Sequence, residues 1–355
     1  MLPLLVEIIS TSGPMPFDEF MERCLYDADD GFFSAGAVRP GAKGDFVTAP
    51  EVSPLFGELI ARWANRVRGG AWATVEIGAG SGALLGPMIA SMSETTTFAI
   101  ERSRSARRII REALPTVTVA DSIVDVDASG AVVILNEVLD NVPAALVQRT
   151  DQSQKNEGWS EIAVGVDDGV LKLVDVPPRN AVVEWASRYL TDLPVGAMAS
   201  VQIAAGKLIE SIVEALDDVA ICVIDYGGST AELAGRSDAD VVRTYRHQRS
   251  GFDYLTHPGQ TDITVDVNTD AIVAIAERLG TQVEVMTQRD FLLSLGADEM
   301  LSELRTSEIA LARRGDVMGQ LRERSRGVEL RALLDPPGFG SFKVITIVRK
   351  RDTMP

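Results

Sequence analysis

The stretch Val75-Glu76-Ile77-Gly78-Ala79-Gly80-Ser81-Gly82 constrains this chain more than any other. The apolar run Ala73 to Ile77 predicts a buried strand, and the apolar stretch Ala83 to Ala90 predicts a helix, with three alternate glycines between them. A strand, a glycine turn and a helix N-terminus form a cradle for a nucleotide-like ligand, because free amides and the positive helix end converge there. Glycine suits the turn because the backbone must bend tightly and approach the ligand closely. Glu76 stands two residues before the first glycine, so the order is acid-x-G-x-G-x-G and not the dinucleotide pattern G-x-G-x-x-G. A carboxylate there repels a pyrophosphate and suits a cationic ligand.

Strands and helices alternate beyond this point. Strands are expected at 73–77, 97–101, 117–120, 131–135 and 220–224, and helices at 82–92, 103–113 and 138–146. Such alternation predicts an α/β fold with a parallel sheet covered by helices on both faces. Residues 1–70 read as a helical region with one long Gly-, Pro- and Asp-rich loop, placed to roof the site, and residues 71–355 as the sheet domain. An insert at about 155–217 is expected to hold an antiparallel pair, 161–166 with 170–174, and helices at 180–190 and 197–216. An irregular stretch is expected at 227–262, then a helix at 268–279, a strand at 282–286 and a helical region at 289–334. The final β-branched run, 341–348, reads as a reversed strand closing the sheet.

Composition narrows the function classes. No apolar run in the 355 residues reaches the length of a membrane span, and the apolar start Met1 to Ser10 lacks a basic leader, so it reads as a helix of the folded protein. The two cysteines, Cys24 and Cys222, suggest neither a disulfide framework nor a metal cluster, and a cytoplasmic location is expected. Two histidines, His247 and His257, argue against a histidine-based triad. The net charge of −17 opposes nucleic acid and anionic membrane as partners and favours a basic protein partner; solubility alone also accounts for it. Oligomeric state is not legible.

Ligands of such sheets bind beyond the carboxyl ends of the strands. The first strand ends in Gly78, Gly80 and Gly82. The second ends at Glu101, which can accept from two ribose hydroxyls or cap the helix after Ser103. The third ends at Asp121-Ser122, placed to meet an adenine ring or to form an ordinary turn. The fourth ends in Asn136-Glu137, with Asp140, Asn141 and Pro143 following. Glu137 and Asp140, three residues apart on an expected helix, would share one face and could grip a guanidinium. The fifth ends at Asp225-Tyr226-Gly227-Gly228, which reads as a plain turn more readily than as chemistry.

Several blocks carry a resemblance. Gly44-Asp45-Phe46-Val47-Thr48-Ala49-Pro50-Glu51-Val52-Ser53 with Phe56-Gly57-Glu58 resembles the GDFxTSPEIS-x-x-FGE block of MidA-like methyltransferases, with Ala49 in place of the usual Ser. Leu25-Tyr26 with Gly31-Phe32-Phe33, Asn136-Glu137 with Asp140 and Pro143, Asp225-Tyr226-Gly227, the run Pro258 to Asn268, and Gly340 to Val344 are similar to further blocks of that family in the same order. Val138-Leu139 and Arg246-His247-Gln248-Arg249 depart from its pattern. The resemblance implies a Rossmann-like seven-stranded methyltransferase sheet with an N-terminal helical region and a helical/β insert.

It also implies an enzyme that transfers a methyl group from S-adenosylmethionine to a nitrogen, with an arginine of a protein as target. In the mitochondrial relative that target is a respiratory-complex subunit. Thr48, Pro50, Glu76, Gly78, Ala79, Gly80, Gly82, Glu101, Asp121, Ser122 and Asn136 would hold the cofactor. Glu137, Asp140, Asn136 and Glu51 would act on the substrate, although Glu51 can equally cap a helix. Arg243, Arg246 and Arg249 would steady the roof, bind an acidic substrate or form a solvated loop. Other readings stay open: a small-molecule methyltransferase, a nicotinamide-dependent oxidoreductase, and an assembly factor that binds a partner protein and uses the cofactor structurally. A nucleic-acid amino methyltransferase would need prolines and an aromatic after Asn136, and they are missing.

Overall fold

The computed structural model describes residues 1–34, 48–69, 71–92, 95–151, 158–246 and 249–350. Gly44 to Val47 of the first block, and His247-Gln248, lie outside the described residues. The chain opens with two helices, α1 (Leu2–Ser12) and α2 (Phe17–Tyr26), and a longer one, α3 (Pro54–Val67), follows. Ser53 caps α3 by accepting from the Leu55 amide, and Pro54 suits its first turn because no partner for an N–H is needed there.

Seven strands then build the central sheet: β1 (Ala73–Ile77), β2 (Thr97–Ile100), β3 (Thr118–Ala120), β4 (Gly130–Asn136), β5 (Asp218–Asp225), β6 (Gln282–Thr287) and β7 (Lys343–Arg349). Their order is β6-β7-β5-β4-β1-β2-β3. The pairs β1–β2, β1–β4, β2–β3 and β4–β5 are parallel, while β7 runs antiparallel to both neighbours, β5 and β6. The reversed last strand expected from the sequence is therefore present, wedged between two strands. Side-chain alternation along β4 feeds two cores. Val132 and Ile134 pack with α3 on one face, and Ala131, Val133 and Leu135 pack with the helices Ile203–Ala215 and Thr269–Arg278 on the other.

The order places β1 and β4 side by side at the sheet centre, with their carboxyl ends on one edge. Two helices, α4 (Leu85–Ser91) and α5 (Arg104–Ala113), follow β1 and β2. Gly57 lets α3 lie directly on the segment leading into α4: a Cβ there would stand 2.9 Å from the Leu84 carbonyl oxygen and 2.8 Å from the Pro87 Cβ.

The segment after β4 departs from expectation. The helix expected at 138–146 is a single 3₁₀ turn, Leu139–Asn141, followed by a strand, Ala145–Arg149. Pro143 has no N–H to extend a helix and biases Val142 to extended backbone, observed at φ −68° and ψ 126°. The insert thus begins earlier than 155. Its strands Trp159–Asp167 and Val170–Val176 form the expected antiparallel hairpin. Asp168 and Gly169 turn it with positive φ of 47° and 79°, as a tight two-residue connection requires.

Residues 197–216 split into a strand, Met198–Val201, and the helix Ile203–Ala215, rather than forming one helix. A short apolar run of this kind fits strand and helix alike. The second sheet also recruits Met15–Pro16, which pairs with Ala163 and Val164. The stretch 227–262 is more ordered than expected. It includes the helix Thr230–Ala234 and the strand Val242–Arg246, which pairs with Asp262–Val265.

Candidate active site

The glycine turn closes β1 with φ of +70°, +54° and +78° at Gly78, Gly80 and Gly82, values that only glycine adopts without strain. The three positions differ in what surrounds them. A Cβ on Gly78 would stand 2.8 Å from Val138 Cγ2, one on Gly82 2.8 Å from Leu114 Cδ1, and one on Gly80 would meet nothing within 4 Å. Glu101 ties the turn to the end of β2. Its Oε2 accepts from the Gly80 amide at 2.9 Å and its Oε1 from the Ser103 amide at 2.7 Å.

At the ends of β4 and β5 stands a buried acidic cluster. Glu137 sits in the left-handed region, at φ +53°. Its amide donates to the Ile224 carbonyl at 2.8 Å, which extends the β4–β5 ladder by one bond before the chain turns. Asp225 holds that turn. Its Oδ2 accepts from the amides of Val138 (3.1 Å), Leu139 (2.8 Å) and Asp140 (3.3 Å), and its Oδ1 from the Tyr226 amide (2.9 Å). The side chain of Glu137 accepts from the Ala49 amide and from Asn136 Nδ2, both at 3.3 Å.

Burial, with the Asp225 charge next, pushes the Glu137 carboxyl up to about 8. Asp225 rises to about 7 through burial, against the pull of its four backbone donors. Asp140 is held well above the ordinary carboxylate range by burial and then by Asp225, Asp262 and Glu137. Glu76, also buried, is raised by desolvation and by Glu101.

Glu76, Glu137 and Asp140 face one cavity of about 790 Å³, within the range of small-molecule sites. Thr48, Pro50, Glu51, Glu76, Gly78, Ala79, Gly80, Glu101, Asp121, Ser122, Asn136, Glu137 and Asp140 all line it. Gly82 does not; it serves the packing of α5 and its following Leu114. Glu51 forms a capping box with Thr48 over the short helix Ala49–Val52, so its capping role and its place in the lining coexist. Asp121 pairs with Arg107, and the Ser122 amide donates to Asp125 at 2.9 Å, so both are engaged within the protein. Glu137 and Asp140 are brought together by the 3₁₀ turn and not by a helix face.

Among further lining residues, Asp18, Glu19 and Glu22 carried no local signal, and Tyr26 was marked only by the resemblance of its block. The polar face of α2 contributes Asp18, Glu19, Glu22 and Tyr26. The Tyr26 hydroxyl donates to the Asn141 carbonyl at 3.2 Å, and the Arg102 guanidinium lies over its ring at 3.9 Å while pairing with Glu22 at 2.6 Å. Asp225 does not line the cavity and acts through the backbone amides of Val138, Leu139 and Asp140, which follow Glu137.

Three buried atoms in the lining have no hydrogen-bond partner: Glu76 Oε2, Asn136 Oδ1 and Asp140 Oδ1. All are acceptors. A ligand completing them must bring donors and positive charge, which an amino acid ammonium, a sulfonium or a guanidinium supplies and a pyrophosphate does not. S-adenosylmethionine fits this donor demand, with Glu76 and the glycine turn on one side and Asn136 on the other. Among the described residues no cluster suited to a metal ion is found, and no helix is long and apolar enough to cross a membrane.

A family model described as "Putative S-adenosyl-L-methionine-dependent methyltransferase" matches residues 56–287. The protein arginine methyltransferase NDUFAF7, mitochondrial, of Homo sapiens is 26% identical over 347 residues, spanning 86% of this chain and 75% of its own. Its Xenopus tropicalis counterpart is 25% identical over 392 residues, spanning 98% and 86%. A crystal structure from Burkholderia thailandensis bound to S-adenosyl-homocysteine superposes with a TM-score of 0.82 at 28% identity, covering 98% of this chain and 91% of that one. The mitochondrial designation of the relatives contradicts the cytoplasmic location expected above. Cys24 and Cys222 are both buried, and buried thiols are inert in any compartment, so their number was no guide to location. The family match runs from α3 through β6, and the likeness to a structure holding the demethylated cofactor extends over nearly the whole chain; this protein belongs to the MidA-like family of S-adenosylmethionine-dependent methyltransferases.

Proposed function

We propose that the enzyme methylates a nitrogen of an arginine side chain in a protein substrate, with Glu137 and Asp140 gripping the guanidinium. One observation carries the reading: two carboxylates converge at the mouth of β4, Glu137 half-buried and fixed in a left-handed conformation, Asp140 buried and keeping an unsatisfied oxygen. The relatives named protein arginine methyltransferases support the target class. A respiratory-complex subunit is the finer target implied by the resemblance.

When bound, S-adenosylmethionine supplies an electrophilic methyl group on a sulfonium. The protein's own part is positioning and charge. A guanidinium is a poor nucleophile because its lone pairs are delocalised, and carboxylates on two of its nitrogens concentrate electron density on the third. Asn136 Nδ2 fixes one Glu137 oxygen and so aims the other. With its raised proton affinity Glu137 is placed to take the proton that the methylated nitrogen must shed. Residues 1–70 serve as a roof in this reading. The support is that α2 and the Thr48–Glu51 segment contribute to the lining, and that Ala49 donates directly to Glu137. A closed roof excludes water and strengthens each carboxylate contact.

The test is Glu137→Gln, assayed by mass spectrometry of arginine-containing protein substrates and by calorimetry with S-adenosylhomocysteine. Turnover is expected to fall roughly a hundredfold or more while cofactor affinity stays within about threefold. Undiminished turnover would remove Glu137 from the mechanism.

A further inference from the structure

A second cavity, of about 290 Å³, shares Tyr226 with the first. Its chemistry is the opposite. Arg236, Arg243 and Lys343 line it against only two carboxylates, Glu232 and Asp266. Arg243 Nη2 donates to Asp266 Oδ2 at 2.8 Å, and Arg236 contacts the same oxygen. The contacting atom of Arg236 is Nη1, so both guanidinium groups share the one Asp266 oxygen. Lys343 pairs with Glu232 at 3.2 Å, but Glu232 Oε2 also accepts from the Ser229 amide in a helix cap, so its charge is shared.

Three cationic side chains thus line this pocket against two carboxylates, with Asp240 acting on Arg236 from outside the lining, in a chain whose net charge is −17. The side chains of Arg236, Arg243 and Lys343 keep 31%, 32% and 23% of their surface exposed, so an incoming group can reach them. Tyr226 is steadied between Phe342, 4.2 Å away between ring centroids, and Tyr245, at 6.5 Å. It makes a fixed wall between an acid-lined and a base-lined chamber.

We propose that this second cavity is a subsite for a carboxylate side chain of the protein substrate, an Asp or Glu standing close to the target arginine. Guanidinium forks match a carboxylate in bidentate fashion, and the two chambers together read a substrate that presents a cation and an anion a short distance apart. The inference rests on the arginine reading above. It explains why residues of three separated segments, Tyr226-Gly227, Asp266 and Phe342-Lys343, meet at one place outside the first cavity's acidic cluster.

The test has two parts. The arginine Nε–Hε resonances of the labelled full chain are followed during titration with N-acetyl-aspartyl amide, its asparaginyl counterpart and inorganic phosphate. Saturable movement of Arg236 and Arg243 with the aspartyl compound alone is expected, weakened roughly tenfold in Arg243→Gln and in the independent variant Lys343→Gln. No saturable movement overturns the subsite, and movement with phosphate alone replaces it by a free-anion site. Methylation is then compared between arginine peptides carrying Asp or Asn at each nearby position. A roughly tenfold preference in kcat/KM for one Asp position, lost in Lys343→Gln, is expected. Equal methylation of Asp and Asn peptides overturns the subsite and leaves arginine methylation standing. Saturable aspartyl binding with no peptide methylated counts against the arginine reading alone.

Discussion

Glu137 shows how one residue's conformation can be set by another's chemistry. A non-glycine residue at φ +53° carries roughly 1–2 kcal/mol of strain and persists only where neighbours over-determine it. Asp225 does so by collecting the three amides that follow Glu137. Asp225→Asn keeps the shape and loses the charge that makes those bonds strong. We expect kcat to fall by up to roughly a hundredfold from misaligned reacting groups, with cofactor affinity little changed. A merely structural role would leave the pH profile in place. Since the Asp225 charge helps to raise Glu137, the rising limb of kcat/KM near pH 8 should move to lower pH in the variant. A limb that stays near 8 in Asp225→Asn, or survives in Glu137→Gln, would exclude Glu137 as its source. The sequence made Glu137 and Asp140 legible, because acids just past a buried strand are conspicuous. It did not reveal Asp225's part, since an Asp before Tyr-Gly-Gly reads equally as an ordinary turn, and only the β4–β5 pairing brings its carboxylate under the neighbouring chain.

Among the elements, the strand, glycine turn and helix around Gly78 to Gly82 were readable because their signals are local: an apolar run, then residues that tolerate positive φ. The segment after β4 was misread because acids at i and i+3 suggest a helix, while Pro143 two residues beyond the turn ends it. The glycines themselves divide by function. Both Gly80 and Gly82 have positive φ, so alanine strains either. Gly80 faces the cavity with open space beyond it, whereas Gly82 abuts Leu114. Gly80→Ala should lose about 1–2 kcal/mol of stability and at least about tenfold in S-adenosylhomocysteine affinity. Gly82→Ala should lose more stability, about 2–4 kcal/mol, because Leu114 must also move, with affinity of the folded protein nearly unchanged. Urea denaturation and calorimetry on the two variants separate the cradle from the packing. If Gly82→Ala weakens the cofactor as much as Gly80→Ala, the division is wrong.

At the scale of the molecule, the second sheet was the least legible part. Met15–Pro16 pairs with Ala163 and Val164 far along the chain, and no local pattern announces such a pairing. Yet this sheet brings α2 over the site, and the closed arrangement buries the acids there. Glu76, Glu137, Asp140 and Asp225 are all raised by that burial. Each binds more protons folded than unfolded between its ordinary value and its raised one, so protonation favours the fold and stability falls as pH rises through that interval. For Glu137 the interval runs from 4.5 to about 8, and for Asp225 from 3.8 to about 7. Each group contributes a slope approaching about 1.4 kcal/mol per pH unit inside its interval. The cofactor-free enzyme should therefore be less stable to urea at about pH 7.5 than at about pH 5.5, and Glu137→Gln should be flatter and more stable than the parent at the higher pH. A cationic ligand favours the ionised carboxylates, so the stabilisation given by S-adenosylmethionine should grow with pH over the same range, where the cluster's own repulsion is greatest. Stability that is flat or rising with pH in the parent enzyme would show that these acids are solvated in solution, and the cation-seeking character of the cavity would go with them.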